Sequence, residues 1–221
     1  MKKVSAIVVA AGSGRRFGSA KQFALLGGKP VLDWALQAFA GHPEVDGVVL
    51  VLPAGQSGTR YRERWSKIVA VVEGGERRQD SVAAGFAGLE PGLGSLVLVH
   101  DGVRPLVGPE VIGRVIAKAK KTGAAVAAIP VEDTIKEAAG GFVVRTLERD
   151  TLRRIQTPQG FRYEVLGEAL RRAREDGFYG TDEAALVERT GHPVALVMGD
   201  PRNIKITTAA DLKIAEAWIE D

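Results

Sequence analysis

The chain has 221 residues, 45% of them hydrophobic, with 30 Lys and Arg against 27 Asp and Glu for a formal net charge of +3. That length suits one large α/β domain and argues against two full ones; so mild a charge, with no basic run interleaved with aromatics, argues against a nucleic-acid partner. With no cysteine there are no disulfides or thiolate metal sites, and a reducing, cytoplasmic compartment is expected; two methionines, one asparagine (Asn203) and many arginines lean toward heat adaptation.

The opening apolar run, residues 4–9, follows Met1-Lys2-Lys3. It is short for a secretory core and runs into Arg15-Arg16 rather than a cleavage region, so a buried parallel strand is predicted. No segment approaches the roughly 18 apolar residues of a membrane span. The strand leads into Ala10-Ala11-Gly12-Ser13-Gly14-Arg15-Arg16-Phe17-Gly18-Ser19-Ala20-Lys21-Gln22. Small residues let backbone N–H groups approach an anion, and the cations neutralise charge that backbone dipoles alone cannot. Nucleoside triphosphate chemistry is the functional reading; a tight strand-to-helix turn with solvated arginines is the alternative. A Walker A loop is excluded because Lys21 is followed by Gln22, and the dinucleotide fingerprint because the third glycine is displaced to Gly18 and the acid at the right distance, Asp33, falls in a helical stretch.

Further strands are predicted at 48–52, 68–72, 96–99, 125–129 and 194–198, alternating with helices at 30–40, 80–89, 109–121, 163–175, 182–190 and 209–219. This is the pattern of a mostly parallel sheet with helices on both faces, one domain over residues 1–221, with ligands beyond the carboxyl ends of the strands. After strand 68–72, Gly74 and Gly75 precede a helix and suggest close backbone approach to a ligand, or an ordinary loop and N-cap. After strand 96–99 come Asp101, suited to hold magnesium or orient a substrate hydroxyl, and Arg104, suited to phosphate; an Asp-Gly turn closed by an Asp101 to Arg104 salt bridge is the alternative. The runs 131–135 and 142–147 bracket Ala138-Ala139-Gly140-Gly141 as a β-hairpin, within an arm-like excursion over residues 131–156. A lone hairpin is marginal in water, so a homodimer through this arm is expected.

Seven segments in order resemble the 2-C-methyl-D-erythritol 4-phosphate cytidylyltransferases of the non-mevalonate isoprenoid pathway, over essentially the whole chain. They are Ala10-Ala11-Gly12-x-Gly14-Arg15-Arg16 with Lys21-Gln22, Gly74-Gly75-x-x-Arg78-x-x-Ser81-Val82, His100-Asp101-x-x-Arg104-Pro105, Val131-x-Asp133-Thr134-Ile135-Lys136, Thr157-Pro158-Gln159, Thr181-Asp182-Glu183-Ala184 and Asn203-Ile204-Lys205-Ile206-Thr207. The resemblance implies a Rossmann-like nucleotidyltransferase fold and attack of a substrate phosphate on the α-phosphorus of CTP, with Mg2+ bridging the triphosphate. It implies Arg16, Lys21, Lys205 and Asp182 as catalytic residues, Asp182 near the catalytic lysine; an acid complementing a helix N-terminus after an N-capping Thr181 is an independent reading compatible with that role. Ala10, Ala11, Gly12, Ser13, Gly14, Gly75, Glu76 and Ser81 would contact the nucleotide. Asp101, Arg104, Thr157 and Lys205, with Thr134 and Arg149 from a partner's arm, would line the polyol phosphate side. Asp101 is a candidate metal ligand, the alternative being the CTP phosphates. Gly102-Val103 and Glu76 depart from the family's two alanines and Asp, without removing a cation. Three rivals stay open: a ribitol 5-phosphate cytidylyltransferase, a nucleotidyltransferase using GTP, UTP or dTTP, and a non-catalytic nucleotide-binding regulator.

Overall fold

Aliphatic and β-branched runs without a polar face, such as Gly47–Leu52, are stable only where both faces of a sheet are covered, and that segment is buried along its whole length. The computed structural model describes residues 3–12, 17, 20–89 and 95–220. In chain order its elements are β1 (Val4–Val9), β2 (Leu25–Leu26), β3 (Lys29–Pro30), α1 (Val31–Gly41), β4 (Gly47–Leu52), α2 (Thr59–Arg64), β5 (Ile68–Glu73), α3 (Arg78–Ala87) and β6 (Leu96–Asp101). There follow α4 (Pro109–Thr122), β7 (Ala124–Pro130), β8 (Lys136–Ala139), β9 (Phe142–Thr146), β10 (Arg153–Arg162), α5 (Tyr163–Glu175), α6 (Glu183–Arg189), β11 (Ala195–Met198) and α7 (Ala209–Glu220).

A seven-stranded sheet runs in the order β11-β7-β10-β6-β1-β4-β5; β10 alone among these strands is antiparallel to its neighbours. The period of two along each strand divides the core. Ala6, Val8, Leu50 and Leu98 face Leu36 and Phe39 of α1 and Ile112 of α4, whereas Ile7, Val51 and Val99 face Val82 of α3 and Leu166 of α5. Each such side chain contributes roughly 1.5–3 kcal/mol when fully buried. The first crossover, through α1, lies on one face and the return through α3 lies on the other, so sheet growth reverses at β1 and opens a crevice at the carboxyl edge. Backbone bonds continue past the strand ends there: Ala10 N donates to Val51 O, Gly74 N to Leu52 O and Gly102 N to Val9 O, each at 2.8 Å. Three loops from distant parts of the sequence are thereby set side by side.

Every strand and helix expected from hydrophobic periodicity is present in the main sheet and its covering layers, with ends shifted by a few residues. The central strand β10 was not anticipated, because Pro158 and Gly160 ordinarily disqualify a mid-sheet strand. The chain accommodates Pro158 at a register shift between Ile155 and Gln159, with a cis Thr157–Pro158 peptide. Gly160 lies where α4 presses closest: an added Cβ would stand 2.7 Å from Val115 Cγ1 and 3.1 Å from Leu98 Cδ2. The helix α2 was also not foreseen.

The expected hairpin exists with altered bounds. Residues 131–135 are not a strand; the first strand is β8, and the turn is Gly140-Gly141 alone, at φ 58° and 83°, the positive values of a type I′ turn that glycine adopts without strain. Because Arg153 and Arg154 already pair with Pro130 and Ile129 of β7, the excursion from the sheet covers residues 131–152, and the remainder of 131–156 belongs to β10.

The tight contact at Gly160 yields a stability prediction. Gly160→Ala should lower the unfolding free energy by about 1–3 kcal/mol through overpacking against α4; urea denaturation that gives a parent-like midpoint would contradict the close approach.

Candidate active site

The carboxyl-edge crevice holds a cavity of about 410 Å³ walled by Ala10, Ala11 and Gly12 from the loop after β1, by Gly75, Glu76, Arg78 and Ser81 around the start of α3, and by Lys21, Asp101 and Lys205. Of the expected nucleotide-binding set, Ala10, Ala11, Gly12, Gly75, Glu76 and Ser81 meet here; Ser13, Gly14 and the expected catalytic Arg16 lie outside the described residues. Glycine is required at the contact between the two loops: a Cβ on Gly74 would stand 2.1 Å from Ala11 Cβ, and one on Gly75 2.4 Å from Asp80 Cβ. Asp80 in turn accepts from Arg77 N at 3.1 Å and caps α3. Ser81 Oγ donates to Arg77 O at 3.1 Å, which commits the hydroxyl to a helix carbonyl rather than to nucleophilic work. Gln22, only 1% exposed, donates to Gly12 O at 3.1 Å and so ties the single 3-10 turn that carries Lys21 to the loop after β1.

Asp101 ends β6 with its carboxylate almost wholly buried among cations. Its Oδ1 accepts from Arg78 Nε at 2.8 Å, its Oδ2 lies 2.8 Å from Lys205 Nζ, and Arg104 Nε stands farther off at 3.8 Å. Burial pushes this carboxyl up, but Arg78, Lys205 and Arg104 overrule it and hold it well below the usual carboxylate range. The expected Asp101 to Arg104 pair is therefore the loosest of the three. Arg104 Nη1 instead donates to Asn203 O at 2.7 Å. Arg78 is fixed from its other side by Glu183, both of whose oxygens accept from Nη1, at 2.7 and 2.9 Å. Burial opposes the charge on Arg78, yet Asp101 and Glu183 raise its pKa above the ordinary value, while burial raises that of Glu183 against the pull of Arg78.

Thr157 does not wall the cavity; it stands behind Asp101. Asp101 N donates to Thr157 Oγ1 at 3.1 Å, and the hydroxyl lies 3.0 Å from His100 Nδ1. His100 Nε2 lies 3.2 Å from Arg104 O; a carbonyl only accepts, so Nε2 carries the proton and Nδ1 receives the Thr157 hydroxyl. Burial pushes the His100 pKa down to about 3, so the neutral ring that this bonding requires is the stable form. Asn203 Nδ2 donates to Thr157 O at 2.7 Å, tying the segment that carries Lys205 to β10.

Asp182 is the N-cap of α6, accepting from Ala185 N at 3.0 Å and from Gln159 Nε2 at 2.8 Å; no described bond joins it to Lys21 or Lys205. The cap is thus Asp182 itself rather than Thr181. Thr134 and Arg149 are exposed in the arm region, apart from the cavity walls, with Arg149 Nη1 donating to Glu132 O at 2.7 Å. Reading the sequence missed Arg78, Glu183 and Gln22 as parts of the site, although each falls within a segment that carried the family resemblance. A tertiary contact, not a motif, gives them their roles.

A cradle of bare backbone from two loops, with lysines converging from separate segments and no activated side-chain nucleophile among the described residues, marks a nucleotidyltransferase on a Rossmann-like α/β sheet. A profile of the 2-C-methyl-D-erythritol 4-phosphate cytidylyltransferase family matches residues 4–221. The enzyme of that name from Geobacter metallireducens is 42% identical over 227 residues, covering 99% of this chain and 98% of the relative. That from Pelotomaculum thermopropionicum is 46% identical over 228 residues, covering 100% and 95%. The crystal structure of the Thermus thermophilus enzyme of the same name is similar at a TM-score of 0.83 and 38% identity, covering 100% of both chains. The chain belongs to the 2-C-methyl-D-erythritol 4-phosphate cytidylyltransferase family and is a cytidylyltransferase.

The buried His100 makes a pH prediction. Between an unfolded pKa near 6.5 and the folded value of about 3, the unfolded chain binds a proton that the folded chain does not, so stability falls as pH falls through that window. Asp101 adds a loss below the ordinary carboxylate range, whereas Glu183, shifted the other way, opposes the His100 trend above that range. Urea unfolding at pH 7, 5.5 and 4.5 should show a His100 contribution approaching about 1.4 kcal/mol per pH unit in the parent that is missing from His100→Asn. Equal pH slopes in the two would contradict a neutral, buried His100.

Proposed function

We propose that the chain joins CTP to 2-C-methyl-D-erythritol 4-phosphate, giving 4-diphosphocytidyl-2-C-methyl-D-erythritol and pyrophosphate. A phosphate oxygen of the polyol forms a bond to the α-phosphorus of CTP as the bond from that phosphorus to the bridging oxygen of the β-phosphate breaks, and the electron pair leaves with pyrophosphate. The substrate is itself the nucleophile, so the protein's task is alignment and charge stabilisation. The observation that carries this reading is the placement of Lys21 and Lys205 on a cavity whose other wall is formed by the small residues Ala10 to Gly12 and by Gly75. In this reading the loops hold the nucleotide, Arg16 and Lys21 carry the triphosphate charge, and Lys205, oriented by Asp101, meets the polyol phosphate side with Arg104. Thr157 and Asp182 act by holding β6 and α6 rather than by touching substrate.

Magnesium fits this site through the substrate. Both Asp101 oxygens are engaged by cations, and the described residues contain no group of three or more His, Asp or Glu side chains arranged around one metal position. Mg2+ commonly binds through phosphates and keeps its waters; held there by CTP, it would neutralise charge between nucleophile and electrophile.

The absence of cysteine supports a reducing, cytoplasmic setting. Among the described residues no helix is long and apolar enough to cross a membrane. We propose further that the working unit is a homodimer, with Thr134 and Arg149 reaching the partner's substrate phosphate. In support, Phe142, Val143 and Val144 of β9 are 79%, 63% and 58% exposed in the single chain, an apolar surface that a partner would cover.

Pyrophosphate release measured with each NTP, against methylerythritol phosphate and ribitol 5-phosphate, with and without Mg2+, tests the reaction. CTP with methylerythritol phosphate and Mg2+ should dominate, since a site built to bond an exocyclic amine leaves buried acceptors unpaired with UTP. Equal rates with UTP would sink the cytidylyl specificity, a preference for ribitol 5-phosphate would favour that sister activity, and no release with any pair would favour a regulator.

For the dimer, Lys21→Ala and Arg149→Ala should each lose roughly a hundredfold or more in turnover alone. Mixed under conditions of verified subunit exchange, they should regain a substantial fraction of activity, because one site of each heterodimer keeps both residues. Exchange without recovery would return the arm's role to its own subunit.

A further inference from the structure

Glu183 lies in the first turn of α6 with 1% of its surface exposed, a costly place for a carboxylate unless the chain uses it. Its position is set from β10. Gln159 Oε1 accepts from Ala184 N at 3.1 Å while Gln159 Nε2 donates to the capping Asp182, so the start of α6 is pinned to the strand that also carries Thr157. From there an unbroken polar chain reaches the cavity, through Glu183 to Arg78 Nη1, from Arg78 Nε to Asp101 Oδ1, and from Asp101 Oδ2 to Lys205 Nζ. The chain also has a directional logic. A guanidinium and a carboxylate left to themselves favour a two-bond fork that takes both carboxylate oxygens. With Glu183 holding the Nη1 end and setting the plane of the guanidinium, Arg78 meets Asp101 through Nε and Oδ1, and Oδ2 remains for Lys205.

We propose that Glu183 is a positioning residue for the transfer reaction: by anchoring and neutralising Arg78, it frees one oxygen of Asp101 to hold the Lys205 ammonium at the cavity wall. The inference rests on the cytidylyltransferase reading above and assigns a role to a residue that never touches substrate. Two consequences separate it from simple structural support. Loss of the Glu183 charge lets Arg78 turn onto both oxygens of Asp101, releasing Lys205 and slowing the chemical step. It also leaves Arg78, which itself walls the cavity, less neutralised, so ground-state binding of an anionic nucleotide is kept or strengthened.

The test compares the parent chain, Glu183→Gln and Glu183→Asp with CTP, methylerythritol phosphate and Mg2+, by steady-state pyrophosphate release, by calorimetric titration of CTP without the second substrate, and by thermal unfolding. Glu183→Gln should lose roughly tenfold in kcat, the scale seen when a group that orients a functional residue is removed, with CTP affinity unchanged or tighter. Glu183→Asp keeps the charge but withdraws it by one methylene, and should fall between the two. A parent-like kcat in Glu183→Gln overturns the proposal, as does weakened CTP binding with kcat intact, which would mark a merely structural residue. Should Glu183→Gln not fold, a parent-like kcat in Glu183→Asp overturns it alone. A parent chain without pyrophosphate release instead removes the cytidylyltransferase reading and this role with it, whereas an active parent beside an unaffected Glu183→Gln removes only the role of Glu183.

Discussion

The architecture of the site depends on one buried carboxylate. Asp101 stands at the end of β6, and an anion there, 5% exposed, is tolerable only because the chain brings cations to it from α3, from the loop after β6 and from the segment before α7. Removing one partner from such a buried network typically costs about 3–5 kcal/mol, so the network restricts how the surrounding elements can shift without opening the site. It also converts a folding requirement into a fixed geometry of charges at the cavity wall. The charges that make Asp101 bearable include Lys205, which lines the cavity.

Behind the carboxylate, neutral hydrogen bonds perform the alignment. Thr157 Oγ1 accepts from Asp101 N and its hydroxyl donates to His100 Nδ1, and His100 donates its one ring proton, on Nε2, to the Arg104 carbonyl. Each group donates once in a fixed direction, so the loop after β6 is oriented without adding charge to an already crowded site. Asn203 extends the same framework to the Lys205 segment through the Thr157 carbonyl. These bonds fix the backbone of the loop after β6 and of the Lys205 segment, and so the directions in which Asp101 and Lys205 can point.

Much of this was legible from local pattern. Continuous apolar runs at 4–9 and 48–52 announce strands covered on both faces, and the glycines at 74 and 75 announce a close approach that the structure realises against Ala11 and Asp80; both follow from side-chain size and polarity alone. Where the reading failed, a neighbour distant in sequence had overruled a local preference. β10 carries Pro158 and Gly160, poor strand residues that the sheet accepts because a register shift takes the first and close packing of α4 takes the second. In the hairpin, residues 131–135 have a strand-like composition, but only Ile135 bonds across, its carbonyl accepting from Leu147 N at 2.9 Å, and the regular ladder set by the two-glycine turn is that of β8 and β9.

The sequence by itself determined the class of fold, the close packing of its glycine loops and the family, because hydrophobic period, glycine placement and motif order are properties of short segments. Only the tertiary structure decided which charges work together. Glu183 and Arg78 are 105 residues apart, and either read alone is an ordinary charged residue near a helix start. Asp182, the more conspicuous acid, proves to be a cap, while its neighbour Glu183 is turned inward. One residue's rotation about a helix axis separates solvent from core, and the packing of α6 against α5 and β7, with the hydrogen bonds of Gln159 and Arg78 to its start, settles that rotation.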